Sequence, residues 1–361
     1  MRTATRRDDA VPDDLRYLAF YLPQFHPIPE NDEWWGEGFT EWSNVVRAVP
    51  SFPGHHQPHA PERVLGYYDL RDPGIRELQA QLARDHGIDG FVYYHYWFAG
   101  RRLLEQPFNE VLASGKPDFP FCLCWANESW TRTWDGLGNT VLVEQTYGDD
   151  DDRAHIHWLG GAFADPRYIR VGGRPLFLVY LASSLPDPRR TTDIWRDEAR
   201  RAGLGELYLC RVEAVSDRGD PTALGFDASV EFQPDWLRTG PRLSMSSDGV
   251  EPTVYSYPVT AELARTNAPA PYKRYRGVMP GWDNSPRRGR AATVFAGSAP
   301  ERYKRWLASV RAEFRPYSPD ENLVFINAWN EWGEGNHMEP DERWGRAYLE
   351  AHAKAAGRWK E

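Results

Sequence analysis

"NLVFINAWNEWGEG" runs from residue 322 to residue 335 and joins two unlike halves. Its first half is a short, unbroken apolar run. Its second half sets Glu331 and Glu334 three residues apart among tryptophans and glycines. A short continuous apolar run bounded by polar residues is the pattern of a strand buried on both faces, as in a parallel sheet. Seven further runs of this kind precede it: "YLAFYLP" (17–23), "GFVYYHYW" (90–97), "FPFCLCWA" (119–126), "PLFLVYLA" (175–182), "LYLCRVEA" (207–214), "ASVEFQP" (228–234) and "RGVMPGWD" (276–283). Helical spacing lies between several of them, at 73–88, 153–163, 191–203 and 300–314, and again at 342–356. Eight strands alternating with helices predict an α/β chain folded as a single (β/α)8 barrel of TIM type, with long loops at its C-terminal face. A doubly wound open sheet is the competing architecture, and no Gly-rich dinucleotide fingerprint succeeds the first run.

Residues 1–16 read as a disordered lead and 17–361 as one catalytic barrel, without a repeat or linker to divide it. The stretch "TGPRLSMSSDGVEPTVYSYP" (239–258) predicts a short or missing crossover helix between the sixth and seventh strands. With 43 Lys and Arg against 52 Asp and Glu, the net charge is -9, which argues against a nucleic-acid partner. No run of 18 apolar residues occurs, so no membrane span is expected. The N-terminus has arginines without an apolar stretch behind them, and a cytoplasmic location is the simplest expectation. Cys122 and Cys124, two apart on one strand, face the same side and are expected as free thiols.

In a (β/α)8 barrel the functional groups sit at the C-terminal ends of the strands. Here the polar and aromatic clusters gather there: "PQFHPIPENDEWWGEGFTEW" after the first run, "YHYWFAGRRLL" at the end of the second, "WANESWTRTWDG" after the third, "PGWDNSPRR" after the seventh and "WNEWGEG" after the eighth. The chain has 16 tryptophans, many beside hydrogen-bonding residues. Flat aromatic faces next to polar side chains suit sugar rings, so an oligosaccharide or polysaccharide is the expected partner.

Glycosidic cleavage needs one carboxyl kept protonated and another kept ionised, close together. Glu331 and Glu334 are the candidates, and the tryptophans beside them would raise a carboxyl by desolvation. Around them the clusters nominate Gln24, His26, Trp35, Glu41 and Trp42 from the first loop, and Tyr94, His95 and Trp97 from the second. Trp125, Asn127, Glu128 and Trp130 come from the third, Trp282, Asp283 and Asn284 from the seventh, and Asn330 and Trp332 from the eighth. Glu231 is a third acidic candidate, and Arg287 with Arg288 could meet the phosphates of a nucleotide-sugar donor. "GHHQPH" (54–59) matches no zinc spacing, and the acidic run "GDDDD" (148–152) reads as solvated surface. Neither a metal nor another cofactor is expected.

Five blocks in order carry a resemblance: "LAFYLPQFHPIPENDEWWGEGFTEW", "HHQPHAPERVLGYYDLRDP", "GIDGFVYYHYWFAGRRLLEQP", "DFPFCLCWANESWTRTWDG" and "NAWNEWGEGNHMEPD". Together they are similar to the WbsX-type glycosyltransferase family, associated with bacterial surface polysaccharides such as lipopolysaccharide. That family itself resembles glycoside hydrolase family 99, the endo-α-mannosidases. The resemblance implies a barrel acting on glycosidic bonds, with Glu334 as general acid. It implies Glu331 as a base that helps the sugar's own 2-hydroxyl displace the leaving group, with configuration retained. Three functions stay open at this point: hydrolysis or transglycosylation of an α-linked glycan, biosynthetic glycosyl transfer, and glycan binding without chemistry. The sugar, its linkage and the oligomeric state are not legible.

Overall fold

The computed structural model describes residues 15–132, 137–214, 217–243 and 252–360. Most of the lead read over 1–16 lies outside these residues, but Arg16 already opens the first strand. The eight barrel strands are β1 (Arg16–Tyr21), β2 (Gly90–Phe98), β3 (Phe121–Trp125), β4 (Arg174–Val179), β5 (Tyr208–Glu213), β6 (Ala228–Glu231), β7 (Arg274–Val278) and β8 (Leu323–Ile326). All eight pair in parallel in chain order, and β8 pairs with β1 to close the ring. Each falls on a run predicted as a strand.

The helices between them are α1 (Pro73–Asp85), α2 (Gln106–Ser114), α3 (Asp149–Phe163), α4 (Pro188–Arg201), α5 (Tyr257–Arg265) and α6 (Pro300–Glu313), with α7 (Ala347–Ala356) after β8. Local chemistry sets where they start. Asp72, Asp187 and Ser256 accept hydrogen bonds from the first turns of α1, α4 and α5, and a proline opens each helix just inside its cap. The acidic run at 149–152 forms the first turn of α3, where carboxylates favour the positive end of the helix dipole. Asp150 stays exposed, as expected of surface, but the run is a helix start and its last residues turn inward. Asp152 is buried and accepts from Thr191 Oγ1 at 2.9 Å, and Asp151 accepts from Trp97 Nε1 at 2.8 Å.

The missing crossover helix is elsewhere than expected. The β6–β7 link carries α5, which begins at the end of the Pro- and Ser-rich stretch. The β5–β6 link has only a 3-10 turn at Pro221–Leu224 among the described residues. The outer face of β5–β7 carries ion pairs, Arg211 with Asp217 (3.3 Å), Arg274 with Glu213 (3.4 Å) and Arg276 with Glu231 (2.9 Å), and Arg276 also donates to the Ala264 carbonyl of α5. Glu231 is therefore a wall residue and not a rival acid in the cleft.

Inside the ring, Phe20 packs against Tyr94, Phe232 and Phe325 with centroids 5.5 to 6.0 Å away. They form an aromatic floor below the C-terminal mouth. The free Cys122, Cys124 and Cys210 are all buried in the strands. Among the described residues no helix is long and apolar enough to cross a membrane.

Strands β6 and β7 approach so closely that a Cβ on Gly277 would lie 2.1 Å from the Glu231 carbonyl oxygen. Gly277→Ala must push two barrel strands apart. It is expected to cost about 1–3 kcal/mol of overpacking, read as a lower midpoint in urea unfolding.

Candidate functional site

Beyond β8 the backbone folds into a tight hairpin. Asn330–Glu331 pairs antiparallel with Asn336–His337, and Trp332–Glu334 makes the 3-10 turn between them. Three anchors hold this hairpin over the barrel. Asn330 accepts from Leu22 N (2.7 Å) and donates to Leu22 O (3.0 Å), tying the hairpin to the end of β1. Trp332 stacks on His337 at 3.6 Å and donates to Glu339 Oε2 at 2.6 Å. Glu339 also accepts from Tyr68 and Gln79, and burial pushes its carboxyl up to about 7. The last anchor is Asp283, whose N–H donates to the Glu334 carbonyl at 2.6 Å.

The side chains of the turn converge on one guanidinium. Arg287 places Nη2 3.1 Å from Glu331 Oε2, Nη1 2.8 Å from Glu334 Oε1 and Nε 2.7 Å from Glu41 Oε1. Three carboxyls from the β1 and β8 loops thus share one cation from the β7 loop. A Cβ on Gly333 would lie 2.0 Å from Glu41 Oε1 and 2.7 Å from Arg287 Nε, so only glycine lets the turn pack on this pair. Burial pushes Glu331 up to about 8, with Arg287 pulling it down and Glu334 and Glu41 adding to the rise. Glu334 is raised as well, by burial first, against the pull of Arg287. Burial opposes the Arg287 charge, but Glu41, Glu334 and Glu331 outweigh it and hold its proton more tightly than usual.

Glu331, Glu334 and Arg287 line a cleft of about 480 Å³ at the C-terminal face. Its other walls include six of the residues nominated from sequence: Gln24, Trp35, Tyr94, Glu128, Trp130 and Trp282. Glu128 looks into the cleft from beyond β3, its carboxyl raised by desolvation. Trp130 stands edge-on to Tyr96 at 5.2 Å, and Gln24 donates to the Tyr96 hydroxyl at 3.0 Å.

The remaining nominees lie behind the walls. Alternation along β2 sends Tyr94 and Tyr96 inward and His95 and Trp97 outward. There His95 stacks on Trp158 (4.6 Å) and Trp97 on His155 (4.7 Å), both from α3. Trp125 is buried and donates to the Trp97 carbonyl, while Asn127 is spent on both backbone groups of Leu181. Trp42 is core, donating to the Tyr68 carbonyl, and Trp332 and Asn330 are structural parts of the hairpin. His26 is buried and its proton affinity falls to about 4 by desolvation. Asn284 accepts from Thr293 N at 2.7 Å, while the turn before Pro286 is made by Asp283, which accepts from Ser285 N at 3.0 Å. Glu41 is 1 % exposed and does not reach the cleft surface. Asp283 accepts from His55 Nε2 (2.6 Å) and Gln57 (2.7 Å), which gives part of "GHHQPH" a structural use. His55 Nδ1 accepts from Ser51 N, so its Nε2 carries the proton. Among the described residues no group of three or more His, Cys, Asp or Glu is placed to hold a metal ion.

Tyr96, Tyr180, Phe232 and Trp34 line the cleft without having been nominated. Strand alternation from Tyr94 would have found Tyr96. Tyr180 and Phe232 sit just past the last residues of β4 and β6, where a barrel strand meets its loop.

The geometry can be set beside known proteins. The model of the family described as glycosyltransferase WbsX matches residues 17–352. The chain is 46% identical over 362 residues to the uncharacterised protein WxcX of Xanthomonas campestris pv. campestris strain B100, covering 98% of this chain and 51% of that protein. WxcX of strain ATCC 33913 is 47% identical over 360 residues with the same coverage. The chain therefore spans about half the length of the curated relatives it matches. Among solved structures, a glycoside hydrolase-like protein aligns with a TM-score of 0.63 at 14% identity, over 96% of this chain and 94% of that one. The family 99 endo-α-mannosidase from Bacteroides thetaiotaomicron aligns with a TM-score of 0.57 at 15% identity, over 96% and 97%. At such identities the likeness is one of fold. The chain belongs to the WbsX glycosyltransferase family, a carbohydrate-active family, and carries it on a (β/α)8 barrel of the kind those glycoside hydrolases use.

Proposed function

We propose that this chain breaks an α-glycosidic bond with retention and passes the glycosyl group to water or to a sugar acceptor, using Glu331 and Glu334. One observation carries the reading: both carboxyls line one aromatic-walled cleft, both are raised by burial, and both touch the same guanidinium. Contact with sibling nitrogens of Arg287 keeps them no farther apart than the roughly 5–9 Å of paired glycosidase carboxyls. A binding barrel without chemistry has no use for two such groups at that cost in desolvation.

In this scheme Glu334, the more exposed of the pair at 21 % of its side chain, protonates the leaving oxygen. Glu331 takes the proton of the sugar's 2-hydroxyl as that oxygen attacks the anomeric carbon, closing a three-membered ring while the glycosidic bond breaks. An incoming hydroxyl then opens the ring at the anomeric carbon. It gives its proton to Glu334, and Glu331 returns a proton to the 2-oxygen. Burial by itself favours the proton on Glu331, the reverse of the order this scheme needs. A sugar hydroxyl donating to Glu331 stabilises its ionised form and moves the shared proton toward Glu334.

A nucleotide-sugar donor is the weaker reading. Its diphosphate needs cations, and Arg287 is already committed to three carboxylates, leaving Arg288 at the cleft wall. Mass analysis of products from an α-linked mannoside-type glycan, with and without an added sugar acceptor, separates hydrolysis from transfer. Turnover only with a nucleotide sugar would overturn the proposal.

Glu334→Gln is expected to lose about 100- to 10,000-fold in kcat on an unactivated α-glycoside and to recover most of it on a glycosyl fluoride, whose leaving group needs no acid. Full activity of this variant on the unactivated substrate would remove Glu334 from the role. The pair must hold one proton, and a carboxyl raised to about 8 holds it below that pH and loses it above. A pH profile of kcat/KM should therefore fall on its alkaline side near pH 8 and keep its activity through neutrality.

A further inference from the structure

The three-way contact at Arg287 includes one carboxylate that no substrate can touch. Glu41 is 1 % exposed, sits at the N-terminal edge of the short helix Trp42–Val45, and lies behind the cleft wall. Its Oε1 meets Arg287 Nε, while its Oε2 is buried with no hydrogen-bond partner among the described residues. A buried carboxylate oxygen left unsatisfied is costly, and its persistence calls for a reason. The backbone of the turn between the two cleft glutamates is shaped around it, since a Cβ at Gly333 would collide with Oε1.

We propose that Glu41 is a positioning residue that sets the charge of the cleft: by occupying Nε of Arg287 with its own carboxylate it balances that cation, so the Glu331–Glu334 pair keeps a surplus negative charge and therefore a proton. This rests on the reading of that pair as the reacting carboxyls. Without Glu41, Arg287 would neutralise one of the two carboxylates outright, and the pair would have less reason to bind a proton at neutral pH. The other titratable or charged groups around the pair do not supply this balance. Tyr94 and Tyr96 of β2 and Tyr180 beyond β4 are kept neutral by burial. Glu128 looks in from beyond β3 and is itself raised by desolvation. Arg288 lines the same cleft. Asp283, behind the turn, is engaged by His55, Gln57 and the Ser285 N–H.

The test needs no substrate. In protein labelled with 13C at the glutamate carboxyls, Glu331 and Glu334 are assigned from Glu331→Gln and Glu334→Gln, and their titration midpoints are tracked by NMR. Glu41→Gln keeps the shape and an oxygen facing Arg287 Nε but removes the charge. It is expected to lower the higher midpoint of the pair by about one pH unit or more, the size expected for loss of a close like charge. Arg287→Lys keeps one positive charge but not the three-way fork, and is expected to move that midpoint upward. A folded Glu41→Gln, judged by a cooperative thermal transition, with unmoved midpoints would overturn the proposal. Should Glu41→Gln not fold, Arg287→Lys with unmoved midpoints does the same. Opposite shifts in a protein inactive on every glycoside would uphold the charge-setting role and sink the proposed function.

Discussion

One guanidinium shared among three carboxyls, two of them buried and one half-buried, is the constraint on which the site depends. Arg287 comes from the β7 loop, Glu41 from the β1 loop, and Glu331 with Glu334 from the hairpin beyond β8. Removing one partner from a buried ion cluster typically costs about 3–5 kcal/mol, because a charge is left without compensation. None of the three loops can therefore shift alone. The same cluster carries more negative than positive charge, and burial makes that excess felt as raised proton affinity. Rigidity and a retained proton arise from a single contact set.

The barrel supplies the rest by separating its two jobs in space. Strand alternation directs Tyr94, Tyr96 and Phe20 inward, while the same strands send Trp97, His95 and Tyr93 outward against helices and loops. The inward aromatics make the floor and part of the wall of the cleft. The loops then need only add polar groups above it. This explains why the tryptophans beside polar residues divide as they do. Trp35, Trp130 and Trp282 face the cleft, whereas Trp42, Trp125 and Trp332 are struts holding the loops that carry it.

The strands were legible because a strand covered on both faces must be apolar along its whole length, a pattern that needs no partner to be read. Five of the seven helices between and after the strands were legible from their spacing, whereas α2 and α5 were not. The absent crossover helix was misplaced because a Pro- and Ser-rich stretch signals a loop without excluding a helix directly beyond it. Ser256 caps a new helix at the end of that stretch, while the link after β5 holds only a 3-10 turn among the described residues, opened by Pro221 and ended at Gly225. The carboxyl pair was visible as a strand-end motif. Arg287 as its common partner was not, since 44 residues separate it from Glu331 and 246 from Glu41. Nor could loop composition tell cleft residues from their supports: Asn127, Asn284 and Asn330 have the chemistry of sugar binders, but their amides are consumed by neighbouring backbone.

The histidine-rich loop after β1 has a reach its position does not suggest. His55 and Gln57 grip Asp283 Oδ2, and the Asp283 N–H grips the carbonyl of Glu334. Two hydrogen bonds in series thus run from a surface loop to the backbone of a proposed acid. A change at residue 55 or 57 could therefore retune the proposed acid without altering any residue that lines the cleft.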